Sequence, residues 1–374
     1  MALKKKSVRL IIIVLLFVIY FFMAARQIPR ETILVPAWIS SLEYNVPAFE
    51  RSSNAPDRML PFTLGSHFGY IDSSGRFAVN RIKTSEIYLD EKMWTEYGNM
   101  PSGIEIKNIS QETIINIENA KGYPFLLDNR VFILGSEQNE LSEIDSNGNF
   151  IWTYEYGAPL TCVDTAAGIV LTGSLDGVVE ILNSGGNRIY FFEPGGSRYS
   201  VILGCAVSRN GTQIGIISGI DKQRFILLEH FGGSPGEYKV VYHEYLDTGF
   251  RRPVHITFID EDSRIVFERE GGIGCYNIKT RRSIFIPLDG KIAAIDNSGD
   301  QGLLFLIVSH PMQRNELIGI KIPQDNFFVR SFDMRNTIFL RAPFRSSDVF
   351  LGRKDSMFVA GGGKTLISFD LEEK

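Results

Sequence analysis

Cysteine, tryptophan and histidine are scarce in this chain of 374 residues, numbering three, three and five. The cysteines, Cys162, Cys205 and Cys275, are odd in number and include no CxxC pair, which argues against a disulfide framework. Each stands in an apolar, strand-like context (LTCVD, LGCAV, IGCYN), so buried free thiols are expected. His67, His230, His243, His255 and His310 never fall at ligand spacings such as HxH or HExxH, and no metal site is nominated. His255, in RPVHITF, could face a central channel, although a structural histidine is the simpler reading. Excess positive charge is also missing. The net charge is -4, without the basic face of a duplex binder, and Arg251-Arg252 and Lys279 with Arg281-Arg282 read as solvated loops. No nucleic-acid partner is expected. From about residue 62 onward there is no sustained helical periodicity.

One long apolar run exists, at the N-terminus. Lys4, Lys5, Lys6 and Arg9 precede the uncharged stretch Leu10 to Ala25, which as a helix spans roughly 24 Å, a little short of a ~30 Å hydrocarbon core. It reads as an uncleaved signal anchor. The alternative is the apolar region of a cleaved signal peptide, for which Phe22 and Met23 before Ala24 and Ala25 make a poor cleavage pattern. No cysteine near its end offers a lipoprotein processing site. The expected arrangement is a cytoplasmic basic N-terminus over 1–9, a transmembrane helix over 10–25 and a single-pass protein. Its C-terminal domain would be extracytoplasmic, periplasmic in a bacterium. Residues 26–61 hold Pro29, Pro36, Pro47, Pro56 and Pro61 and read as an extended stalk.

Residues 62–374 show short strands alternating with Gly/Asn/Asp/Ser turns, the mark of an all-β domain. The strands recur as repeats. VDTAAGIVLTGS, VSRNGTQIGIIS, FIDEDSRIVFER, IDNSGDQGLLFLI and FLGRKDSMFVAG each lead into a third strand. A fourth often follows, as in NRIYFF, RSIFIPL and NFFVRSF. Four-stranded units of roughly 35 to 50 residues are blades of a β-propeller, which close on one another because one meander cannot bury both its faces. Units near 62–120, 123–156, 159–194, 199–246, 252–288, 291–332 and 337–371 give about seven blades; six or eight stay open, because 62–120 parses poorly.

Over about 125–195 the repeat places Gly148 in a turn, then Trp152, then Gly157 before an inner strand, then GSLDG. In this it resembles the quinoprotein-dehydrogenase-like propeller superfamily, and the rest is more generically WD-repeat-like. That superfamily includes quinone-dependent alcohol dehydrogenases. It also includes non-enzymatic members such as the lipoprotein of the bacterial outer-membrane barrel-assembly machine. The resemblance implies a fold rather than an activity. Only Trp38, Trp94 and Trp152 are available for the dehydrogenases' tryptophan-docking pattern, and no two cysteines are adjacent.

Other chemistry is equally unmarked. DSNGN (145–149) and DNSGD (296–300) imitate the start of a calcium loop, but the closing glutamate position after Asp145 is Tyr156. Both read better as hairpin turns. Gly363-Lys364-Thr365 lacks the spaced first glycine of a phosphate loop, and there is no G-x-S-x-G elbow. Asp260-Glu261-Asp262 reads as a solvated turn, and IYFF (189–192) as packing between blades. The sequons at Asn108 and Asn210 matter only in a eukaryotic secretory pathway. No catalytic, cofactor or metal residue is nominated. The expectation is a membrane-anchored protein-binding scaffold whose partners are envelope proteins. The alternative is an enzyme or a binder of sugars or alcohols using the central channel.

Overall fold

The computed structural model describes residues 13–18, 20, 32–43, 59–99, 103–233, 236–247, 249–296, 302–322, 337–354 and 357–373. The chain divides into two compact units, 1–35 with 371–374, and 36–370. In the first, helix is seen at 13–18 and at Tyr20. Among the described residues no helix is long and apolar enough to cross a membrane. The expected single-pass anchor, and the extracytoplasmic placement built on it, are therefore withdrawn. Hydropathy reports that Leu10–Ala25 is apolar, but a span needs about 20 residues of regular helix. The remainder of that stretch lies outside the described residues.

Among the described residues the second unit is all-β, with eight sheets. The first blade has three strands, β2 (Met59–Leu64), β3 (His67–Asp72) and β4 (Phe77–Ile82). The second comprises β5 (Glu86–Leu89), β6 (Met93–Tyr97), β7 (Gly103–Asn108) and β8 (Thr113–Glu118). The third runs β9 (Gly122–Leu127), β10 (Arg130–Gly135), β11 (Glu140–Ile144) and β12 (Phe150–Glu155). The fourth is β13 (Leu160–Ala166), β14 (Ile169–Ser174), β15 (Val179–Leu182) and β16 (Arg188–Phe192). In the fifth are β17 (Ile202–Val207), β18 (Gln213–Ser218), β19 (Arg224–His230) and β20 (Tyr238–Tyr245). The sixth has β21 (Ile256–Ile259), β22 (Arg264–Arg269), β23 (Gly272–Asn277) and β24 (Arg282–Pro287). Next come β25 (Lys291–Ile295), β26 (Leu303–His310), β27 (Arg314–Lys321) and β28 (Ile338–Arg345). The eighth sheet is ordered β1-β31-β30-β29, where β29 is Val349–Lys354, β30 Met357–Gly362, β31 Thr365–Glu373 and β1 Thr32–Ser41.

Two expectations are corrected by this topology. The number of blades is eight, not about seven, because 62–120 holds two sheets rather than one irregular unit. The second of these is hard to see in sequence: β6 and β7 are joined across only Met93↔Asn108 and Trp94↔Lys107, so the pattern looks broken. The last unit also starts later than expected, since Ile338–Arg345 closes the seventh blade; NFFVRSF lies outside the described residues. Within the segment read as a stalk, β1 contributes the outer strand of the eighth sheet. Trp38 of that strand donates its indole N–H to the Ser73 carbonyl at 2.9 Å, and Ser40 Oγ donates to Gly75 O at 2.6 Å. These contacts hold the closing strand to the first blade.

The strand patterns explain where the core lies. Outer strands alternate: in β8, Ile115 and Ile117 are buried while Asn116 between them is exposed. Middle strands such as β15 (VEIL) and β23 (GIGCYN) are buried along their whole length, because neighbouring blades cover both their faces. The apolar clusters accordingly sit between successive blades. One joins the fourth and fifth through Leu171, Val179 and Ile216. Another joins the fifth and sixth, where Phe225 stacks on Phe267 at 4.5 Å. At the eighth-to-first junction Leu60, Phe62 and Leu64 meet Val359 and Leu366. Burial of each such aromatic or aliphatic side chain contributes roughly 1.5–3 kcal/mol, so closure of the ring is what completes the core.

The polar turns are built from their own side chains. Asn183 Oδ1 accepts from the N–H groups of Gly185 and Asn187 at 2.9 and 3.0 Å. Gly186, at φ 74°, supplies the left-handed residue the turn needs, and an added Cβ would lie 2.5 Å from the Trp152 ring of the preceding blade. DSNGN repeats the design. Asp145 Oδ1 accepts from Asn147 and Asn149 N–H, both at 2.8 Å, so its carboxylate serves the turn. Of DNSGD, only Asp296 lies within the described residues.

Candidate functional site

Every inner strand begins on one face of the ring, here termed the top. The residues at or just before those starts include Glu86, Lys121, His255, Lys291 and Asp348, all exposed. They mix signs and types. Among the described residues no group of three or more His, Cys, Asp or Glu could hold a metal ion. His255 precedes β21, and its main chain is tied to Glu268: the Glu268 N–H donates to His255 O at 2.8 Å. Glu268 is in turn held by Arg252 at 2.5 Å. Asp260 and Asp262 are turn residues that tie neighbouring blades. Asp260 Oδ1 accepts from Gly302 N–H and Asp262 Oδ2 from Arg209 N–H, each at 2.8 Å. Lys364 of the GKT stretch sits in the turn between β30 and β31 and pairs with Glu43 at 2.6 Å. That pair borders a cleft of about 510 Å³ with His67, Asn80 and Arg81, but the lysine is engaged and largely exposed.

A second cleft has more chemistry to offer. It occupies about 340 Å³ in the wall formed by the inner strands β5, β9 and β13, with Tyr88, Tyr97, Tyr123, Phe125, Thr161 and Cys162 among its lining residues. Strand geometry produces it. On β9 the half-buried Tyr123, Phe125 and Leu127 alternate with the buried Pro124-side positions, so three successive odd-numbered side chains share one face. Glu86 pairs with Tyr97 at the top of the second blade, and Tyr123 pairs with Leu134 in the third. The rings therefore meet near the top face: Tyr97 and Tyr123 are edge-on at 6.3 Å, Tyr88 and Phe125 tilted at 6.3 Å, and Phe125 stacked on Phe132 at 5.5 Å.

Electrostatics keep the phenols of this cleft protonated. Burial, reinforced by Asp90 and Tyr97, raises the Tyr88 phenol above its ordinary value. Burial with Glu86 and Tyr123 does the same for Tyr97. Both phenols stay neutral, able to donate and accept hydrogen bonds but poorly suited to abstract protons. What the arrangement offers is ring faces with polar tips.

One side of the cleft, Leu160 to Val163, belongs to the fourth blade, which is fastened to the fifth. Thr161 Oγ1 donates to Ile202 O at 2.5 Å, and Asp164 Oδ2 accepts from Val207 N–H at 2.8 Å. Desolvation, offset by the N–H groups of Val207 and Thr165 and raised by Asp128, pushes the Asp164 carboxyl up to about 6. All three cysteines are free thiols; Cys205 and Cys275 are buried as expected, whereas Cys162 is half-buried. Cys275 is isolated in β23, where burial pushes its thiol up to about 12. Sequence reasoning missed the tyrosine cleft because Tyr88 and Tyr97 belong to the blade that parsed poorly. The alternation Tyr123-x-Phe125 at the start of a unit was the available signal.

The family described as beta-propeller protein matches residues 1–372. An uncharacterized protein of Treponema pallidum (strain Nichols) is 25% identical over 358 residues, covering 94% of this chain and 89% of that protein. Among solved structures, the computationally designed Ika8 protein aligns with a TM-score of 0.57 at 13% identity, covering 87% of this chain and 98% of the other. BamB from Moraxella catarrhalis aligns at 0.53 with 11% identity, covering 90% of this chain and all of that one. At such identities the likeness concerns the fold alone.

Proposed function

Because the chain belongs to the beta-propeller protein family, we propose that it is a non-enzymatic recognition module that binds partner proteins through the top face, as a non-catalytic member of the quinoprotein-like propellers would. One observation supports this above others. The cleft of Tyr88, Tyr97, Tyr123 and Phe125 presents aromatic faces and neutral phenols at the mouth of the ring. Tyrosines supply large contact area at low entropy cost and are enriched among residues that dominate protein interfaces. An extended segment bearing proline or an aromatic side chain suits such a surface.

A photo-crosslinking amino acid placed at Tyr123, with Phe191 on the outer strand β16 as the control position, tests the reading. Discrete adducts on one protein segment are expected at Tyr123 only, and Tyr97→Ala should weaken that binding at least about 10-fold. Adducts at Phe191 alone, or catalytic turnover of a substrate by the purified chain, would overturn it. The cleft volume of about 340 Å³ also falls in the range of small-ligand sites, which favours a sugar or planar ligand as the second reading. Saturable protection of Tyr97 and Tyr123 by a sugar, without protein adducts, would select it.

A further inference from the structure

We infer that Cys162 and Cys205 form a two-thiol site at the base of the tyrosine cleft that is modified by disulfide-bearing ligands, Cys162 attacking first and Cys205 resolving. The inference goes beyond partner binding and does not depend on it. The two cysteines lie on the inner strands of successive blades, β13 and β17. Those strands are fastened on both sides of the pair, from Thr161 to Ile202 above and from Asp164 to Val207 below. The lower fastening joins positions 43 residues apart, and the same offset carries Cys162 onto Cys205.

Packing agrees with this placement. Cys205 is a member of the apolar cluster between the fourth and fifth blades, and Cys162 packs against it. Gly173 lies opposite Cys162 in the sheet. A Cβ there would be 2.7 Å from Cys162 Sγ and 2.4 Å from Ile202, so the glycine makes room for the sulfur between the blades. The neighbouring Cys162 thiol, together with burial, pushes the Cys205 thiol up. The two sulfurs differ in access. Cys162 is half-buried and lines the cleft, whereas Cys205 is buried. A ligand disulfide therefore meets Cys162 first, and an aromatic one meets tyrosine rings on the way.

The chemistry is thiol–disulfide exchange. Cys162 releases its proton to solvent, and its sulfur attacks one sulfur of the ligand disulfide. That S–S bond breaks, the first ligand thiolate leaves, and a mixed disulfide forms on Cys162. Cys205 then loses its proton and attacks Cys162 Sγ, expelling the second ligand thiolate. Two protein thiols are oxidised to one disulfide and one ligand disulfide is reduced to two thiols.

The test treats the native full chain with 4,4′-dithiodipyridine and follows thiopyridone release and the peptide map. Release of two thiopyridones per chain and a Cys162–Cys205 cross-link are expected. Cys205→Ser should release one and retain a pyridyl adduct on Cys162. Cys162→Ser should release none, since Cys205 and Cys275 are buried. A stable adduct on Cys162 of the unaltered chain without the cross-link, release unchanged in Cys162→Ser, or no reaction at all would each overturn the inference. Should Cys205→Ser fail to fold, the map of the unaltered chain decides.

Discussion

Asp164 offers a quantitative test of how the blades are joined. Its carboxylate is drawn between the fourth and fifth blades to accept the Val207 N–H, and desolvation pushes it up to about 6 from an ordinary value of about 3.9. A folded value above the unfolded one means that the charged form is disfavoured by folding. The group's contribution to stability is then fully present below about pH 4 and is lost as the pH rises through about 6. The gap between the two values corresponds to about 3 kcal/mol in all, of which about 1.4 kcal/mol separates pH 5 from pH 7.5 by linkage. Asp164→Asn removes the titration while keeping the shape. Its amide places an N–H against one of the two donors, a penalty that does not vary with pH. Urea unfolding at both pH values should show the stability difference between parent and variant changing by about 1.4 kcal/mol, the parent gaining on acidification. A difference that stays flat, or a parent that loses ground at pH 5, would refute the account of a desolvated carboxylate at this junction.

Two further substitutions probe the fold by other means. Arg252→Ala strands Glu268, whose side chain is only 2% exposed beside it; equilibrium unfolding should show a loss of about 3 kcal/mol, with Arg252→Lys recovering part of it. Gly186→Ala must hold a Cβ at positive φ against the Trp152 ring, so it should lose at least about 1 kcal/mol, whereas Gly195→Ala, with open space around it, should be near neutral in the same assay.

Much of the architecture is written locally. Short β-rich runs separated by turns at regular intervals specify an all-β repeat, because the period-two pattern and the turn residues act within a few positions of one another. The turn at Asn183–Asn187 is legible for that reason, since its side chain bonds its own backbone. Blade number was not legible, because two sheets in 59–118 are distinguished by pairings, such as the short contact of β6 with β7, that depend on what lies across the loop. The role of β1 was equally hidden. A proline-bearing segment reads as a stalk until the eighth sheet supplies an edge for it.

The residues of interest divide the same way. Composition alone established that chemistry-bearing side chains are few, and the local sequence pointed to free thiols in apolar settings. Only the tertiary structure brought Tyr88, Tyr97 and Tyr123 to one cleft and set Cys162 beside Cys205. Contacts between blades join residues some forty positions apart, and no local pattern encodes which face of one strand will meet its neighbour. Closing the ring decides that, because the apolar clusters between blades exist only when each blade has the next one against it.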